Sequence, residues 1–117
     1  IMTKQALINL VSGKKVFVGT RSAEVQQRLF ELGFEWELDP KKEVKHTDRQ
    51  FMFLSNNGKR LAATNDFQKF EDKQKPRIDV DVILQPYMKD YDQGFADGYA
   101  KGLADAKASI EGLESDC

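Results

Sequence analysis

One stretch of this chain restricts the fold more than any other: Phe51-Met52-Phe53-Leu54, then Ser55-Asn56-Asn57-Gly58-Lys59-Arg60, then Leu61-Ala62-Ala63-Thr64. Two short apolar runs around an Asn-Gly pair read as a β-hairpin, because Asn and Gly tolerate the positive φ angles of a two-residue type I′ turn. Counting outward from that pair sets Leu54 against Leu61 and Met52 against Ala63 on one face. Phe53 against Ala62 and Phe51 against Thr64 fall on the other. Both faces of the hairpin are therefore apolar. Either helices cover one side and a partner the other, or both sides are internal.

The flanking segments supply the rest of a small α+β body. Ala6, Leu7, Leu10 and Val11 recur at helical spacing between Thr3 and Ser12, with Gly13 where a helix would end. Val16-Phe17-Val18 reads as a central strand. From Ser22 the apolar positions Val25, Leu29 and Leu32, widened by Phe30, describe a helix with Thr20 or Ser22 as N-cap and Gly33 at C′. Phe34-Glu35-Trp36-Glu37-Leu38 alternates as a half-buried strand does, and Asp39 to Arg49 reads as a mobile basic loop. Asp66 can cap a turn through Phe67 and Phe70, and Lys73 to Pro76 is a polar connector. Ile78-Asp79-Val80-Asp81-Val82 alternates too, and is either a further strand or the entry to a last turn at Ile83-Leu84. The expected fold is α+β: an antiparallel or mixed sheet of four to five strands, with one or two packed helices, over residues 1–85.

Beyond Pro86 the pattern changes. Gln93-Gly94-Phe95-Ala96, Asp97-Gly98-Tyr99-Ala100 and Lys101-Gly102-Leu103-Ala104 repeat one four-residue phrase. On a helix, residues four apart lie nearly above one another, so Gly94, Gly98 and Gly102 would form a groove beside a ridge of Tyr91, Phe95, Tyr99 and Leu103. Each interior glycine disfavours a helix by about 1 kcal/mol relative to alanine, so packing against a second surface must offset the cost, or the segment stays loose. Residues 86–117 are read as an association helix with a frayed tail, and those seven residues as its partner-binding surface.

Chemistry is sparse by comparison. Cys117 and His46 are the lone cysteine and histidine, so neither a disulfide framework nor a thiolate and imidazole metal site is expected, and no cofactor motif is present. Glu35/Glu37 and Asp79/Asp81 would be acid–base pairs only inside a cleft, and alternation with apolar neighbours explains them as solvent faces. No phosphate loop, nucleophile elbow or Cys/His pair occurs, so an enzyme is not expected. No run approaches the ~20 apolar residues of a membrane span, no signal-like start is present, and Ile1 ahead of Met2 reads as an added residue. A cytoplasmic protein is expected. The net charge of −1 hides a division, with residues 41–77 at +5 and residues 78–117 at −6.

The segment Lys15 to Trp36, with Val16-Phe17-Val18, Ser22-Ala23-Glu24-Val25-Gln26 and Leu29-Phe30-Glu31-Leu32-Gly33-Phe34-Glu35-Trp36, resembles small uncharacterised proteins of tailed phages and prophages. That resemblance implies a phage origin and an α+β fold, and no catalytic residues. Residues 91–104 are similar to the Gly-x-x-x-Gly arrays of flagellar export-stator and cytosolic adaptor proteins, which use such helices for association. The expectation drawn is a non-enzymatic protein–protein interaction module, a phage-encoded regulator or inhibitor of a host protein, with self-association as a further mode. The alternative is a nucleic-acid-binding hairpin in which Arg49, Lys59 and Arg60 flank Phe51 and Phe53 as a stacking platform. A third reading is a small-nucleotide sequestering protein with a pocket between subunits, near the hairpin or loop 40–49.

Overall fold

In the computed structural model, which describes residues 1–88, the hairpin pairs in the register its side-chain pattern predicts: Leu54 with Leu61, Met52 with Ala63, Phe53 with Ala62 and Phe51 with Thr64. The turn differs from expectation. Positive φ falls at Gly58 (82°) and Lys59 (48°), not at Asn57, and Ser55 N–H donates to the Arg60 carbonyl at 2.9 Å. The connection is thus a four-residue loop, which Ser55 Oγ spans by donating to the Asn57 carbonyl and accepting from Arg60 N–H.

In chain order the elements are β1 (Met2–Thr3), α1 (Lys4–Val11), β2 (Lys15–Phe17), a single 3-10 turn (Gly19–Arg21), α2 (Ser22–Glu31) and β3 (Glu35–Trp36), followed by β4 (Phe51–Leu54), β5 (Arg60–Thr64), α3 (Phe67–Asp72), β6 (Arg77–Ile78), α4 (Val80–Leu84) and β7 (Tyr87–Met88). Contacts divide the described residues into two units, Gln5–Gln85 and a second that holds Ile1–Lys4 and residues 86–88. In the second, β1 runs parallel to β7, Met2 opposite Tyr87 and Thr3 opposite Met88. Residues 89–117, and with them Tyr91, Gly94, Phe95, Gly98, Tyr99, Gly102 and Leu103 of the expected association helix, lie outside the described residues.

The larger unit is an α+β fold around a mixed five-stranded sheet in the order β3-β5-β4-β2-β6. β4 is antiparallel to both neighbours, while the pairs β2/β6 and β3/β5 are parallel, so β2, β3, β5 and β6 share one direction. Two crossovers follow. The chain passes from β2 to β3 through α2, and from β5 to β6 through α3, in opposite directions across the sheet. Right-handed crossovers running opposite ways place their helices on opposite faces. That resolves the two apolar faces of the hairpin. Phe51 and Phe53 lie under Phe70 of α3, at ring separations of 4.7 and 6.1 Å. Val16, Met52, Leu54 and Leu61 point the other way and are completely buried, together with Leu7 and Val11 of α1 and Val25 and Leu29 of α2.

Helix ends follow local chemistry where a side chain can reach. Gly33, at φ 100°, takes the left-handed conformation that ends α2. Asp66 caps α3, its carboxylate accepting from Lys69 N–H at 3.1 Å. Neither Thr20 nor Ser22 caps α2. The N-cap is Arg21, reached through the 3-10 turn, and Ser22 is completely buried instead.

One strand reading and one helix face need correction, and one open reading is decided. β3 ends at Trp36, and Leu38 is 97% exposed, because the chain turns away from the sheet after Glu37 N–H bonds the Leu61 carbonyl. Of the two readings of Ile78–Val82 the turn is the one observed: only Ile78 lies in a strand, and Val80–Leu84 coils into α4, with the Arg28 guanidinium donating to the carbonyls of Ile83 and its C-cap Gln85. In α1 the buried residues are Leu7, Ile8 and Val11, whereas Leu10 is exposed.

Phe70 is fully buried and is the ring that joins α3 to the sheet. Phe70→Ala is expected to cost about 3–5 kcal/mol in urea denaturation, while Leu38→Ala should stay within about 0.5 kcal/mol.

Candidate functional site

The five residues of the expected nucleic-acid platform do not form one surface. Phe51 and Phe53 are each 8% exposed, so bases cannot stack on them. Arg49, at the start of β4, donates to the Ala63 carbonyl at 3.2 Å. Arg60, at the opposite end of the hairpin, donates to the Gly58 carbonyl and pairs with the Glu35 carboxylate at 3.2 Å. Lys59 lies across Gly33, where a Cβ would come within 3.1 Å of its ammonium. The carboxylate pairs are equally dispersed. Glu35 serves Arg60, Asp81 pairs with Arg21, and Asp79 sits at the N-cap of α4. Arg21 is held charged by Glu24 and Asp81. Among the described residues no three His, Cys, Asp or Glu side chains group as metal ligands do.

What the fold assembles instead is an aromatic face. Phe17 of β2 lies opposite Phe51 of β4, with ring centroids 5.5 Å apart. Phe67, in the first turn of α3, meets the same Phe51 ring at 5.9 Å. Phe17 is 42% exposed and Phe67 58%. Two open rings thus flank one buried ring, on the edge of the α3 layer. The sequence places Phe17 in a central strand, but α3 is too short to reach over it. The Phe17 ring lies over Gly19, 3.5 Å from where a Cβ would sit there.

A second feature surrounds Trp36. The stretch from Asp39 to Arg49 has no regular structure, yet it is fastened. Gln26, completely buried on α2, donates to the Lys45 carbonyl at 2.6 Å and to Ser22 Oγ at 3.0 Å, and accepts from Lys45 N–H at 2.9 Å. Trp36 Nε1–H donates to the Glu43 carbonyl at 2.8 Å, and the His46 ring meets the Trp36 ring edge-on at 5.5 Å. The expected mobile loop is corrected to a tethered one. Lys45 also pairs with Asp39 at 3.0 Å. That hydrogen bond lowers the Asp39 pKa below its ordinary value, so the pair's contribution is present above the usual aspartate range and is lost as pH falls through the lowered value. A cavity of about 120 Å3 lies here, lined by Trp36, Asp39, Lys45, His46, Arg49 and Ala63 among others. Gln26 escaped notice because glutamine reads as a surface residue, but its place four residues after Ser22 and three before Leu29 lies inside the apolar stripe.

No protein-family model, curated protein or solved structure matches this chain. Of the residues that carry the phage resemblance, Val16, Val25, Leu29, Leu32, Phe34 and Trp36 are buried, whereas Phe17, Glu24 and Glu31 are exposed. No helix among the described residues is long and apolar enough to cross a membrane.

Gln26→Leu removes both partners of Lys45 at once. It should cost about 1–3 kcal/mol, raise hydrogen exchange at the Lys45 amide and shift Trp36 emission toward the red. Unchanged exchange at Lys45 would show the tether to be irrelevant.

Proposed function

We propose that this chain is a non-enzymatic protein–protein interaction module whose contact surface is the face formed by Phe17, Phe67 and the Phe51 ring between them. The observation that supports it is the exposure of two phenylalanines in ring contact with one buried partner. Burying such a side chain fully contributes about 1.5–3 kcal/mol. Aromatic anchors of this kind dominate protein interfaces. Of the two partners expected from the sequence, a host protein and a second copy, the charge division favours the second copy. One chain carries both the +5 segment 41–77 and the −6 segment 78–117, so two copies can match opposite charges. A regulatory role toward a host protein is carried by the phage resemblance alone.

Light scattering over a range of concentrations tests this reading. The wild-type chain should associate, more weakly at high salt, and the double variant Phe17→Ser/Phe67→Ser should remain a monomer with an unchanged far-ultraviolet circular dichroism spectrum. A wild-type monomer at every concentration, or a double variant that associates equally well, would overturn it.

A further inference from the structure

Apart from the aromatic face, we propose that the concavity between β5 and the connector after α3 is a binding site for a phosphoryl group, held by Arg60, Lys73 and Lys75. The three side chains come from two segments, Arg60 from the first position of β5 and the lysines from the turn between α3 and β6. They line one hollow of about 130 Å3, with Glu37, Phe53 and Ser55. That is several times the space of about 10–15 Å3 that one water needs on the same measure, enough for one tetrahedral phosphoryl group with its oxygens.

The hydrogen-bonding capacity of each cation is incompletely used. Arg60 directs Nη1 to the Gly58 carbonyl at 2.7 Å and to Glu35 at 3.2 Å. Its Nε–H and Nη2–H edge has no partner among the described residues, and that edge presents the paired donors that meet two phosphate oxygens side by side. Lys75 gives one of its three N–H groups to the Leu54 carbonyl at 3.1 Å. Lys73 has no oxygen partner among the described residues. Its ammonium rests 5.3 Å from the centroid of the Phe53 ring, whose face orients it without neutralising it. Glu35 offsets Arg60, and Glu37 lines the hollow but makes no ion pair with either lysine. Three cations therefore face two carboxylates, and an added anion would complete the site.

The hollow also explains why basic residues accumulate at this end of the sheet. The hairpin turn and the Lys73–Pro76 connector meet there, with Gly13 N–H bonded to the Ser55 carbonyl and Lys15 N–H to the Pro76 carbonyl. Those backbone bonds fix both segments, so the donors are positioned before a ligand arrives.

The test is a titration of the full-length chain, followed by NMR, with inorganic phosphate, adenosine monophosphate and a short single-stranded oligothymidylate, against chloride at equal ionic strength. Phosphate should shift the Ser55 amide and the Arg60 Nε–H saturably, and chloride should not. Lys73→Gln should weaken binding about tenfold, the loss of one charge-assisted hydrogen bond. Glu37→Gln should strengthen it, a gain that misfolding cannot imitate. Lys69→Gln, on α3 but outside the hollow, should leave it unchanged. Tighter binding of the oligonucleotide, with a log–log salt slope of about −0.7 per phosphate contacted, would assign the phosphoryl group to a nucleic-acid strand. Equal affinity for the mononucleotide with a flat slope would assign it to a small phosphate ester. Absence of saturable shifts with all three probes, or equal weakening by Lys69→Gln and Lys73→Gln, would overturn the site.

Discussion

Within the larger unit, Lys15 ties α3 to the sheet. It lies on β2, an inner strand, and is only 9% exposed. Burying an ammonium costs several kcal/mol unless its donors are satisfied. Here the ammonium meets the C-terminal end of α3 and donates to the carbonyls of Phe70 at 2.6 Å, Lys73 at 3.3 Å and Glu71 at 3.4 Å. It also lies 4.7 Å from the Phe70 ring centroid. Those carbonyls belong to the last turn and C-cap of α3, the negative pole of the helix, and the ammonium adds a charged donor to all three, although the Phe70 and Lys73 carbonyls also accept from the Lys73 and Lys75 N–H groups. α3 has six residues, well under the length at which a helix is stable alone. Asp66 at one end, Lys15 at the other and Phe70 beneath are what keep it on the sheet.

Both proposed surfaces depend on that placement. With α3 in position, Phe51 and Phe53 are roofed and Phe67 is carried to the rim beside Phe17, producing two open rings instead of four. The same clamp fixes the point at which the chain leaves α3. Lys73 emerges over Phe53, and Lys75 reaches the Leu54 carbonyl. A shift of α3 by one turn would bury Phe67 or expose Phe51, and would carry Lys73 away from Arg60.

Much of this was legible in the residues, and the reasons for success and failure are physical. The hairpin register was readable because side-chain period and turn position both had to agree. The α2 stripe, Gly33 at its end and the Asp66 cap were readable because each depends on neighbours a few positions away. What escaped depends on partners distant in sequence. Lys15 looks like a surface lysine, and its acceptors lie 55 to 58 positions further on. Gln26 looks like a polar helix residue until Lys45 is placed beside it. Alternation misled at Leu38 and left Val80–Val82 undecided between strand and turn, since a period of two over a few residues does not say whether a strand has a neighbour to pair with. The aromatic platform failed for a related reason: Phe51 and Phe53 have the pattern of a stacking surface, and only the direction of the β5-to-β6 crossover reveals that a helix covers it.

Native-state hydrogen exchange in Lys15→Met tests the clamp most directly, because it removes the ammonium from the carbonyls it serves while keeping an unbranched side chain of similar length, and exchange reads α3 separately from the rest of the fold. The account predicts that the Phe70 and Lys73 amides, which bond Asp66 and Lys69 carbonyls inside α3, lose at least about tenfold in protection, equivalent to ~1.4 kcal/mol, while the amides of α2 keep theirs. Equal protection of α3 in the variant and the wild type would contradict it.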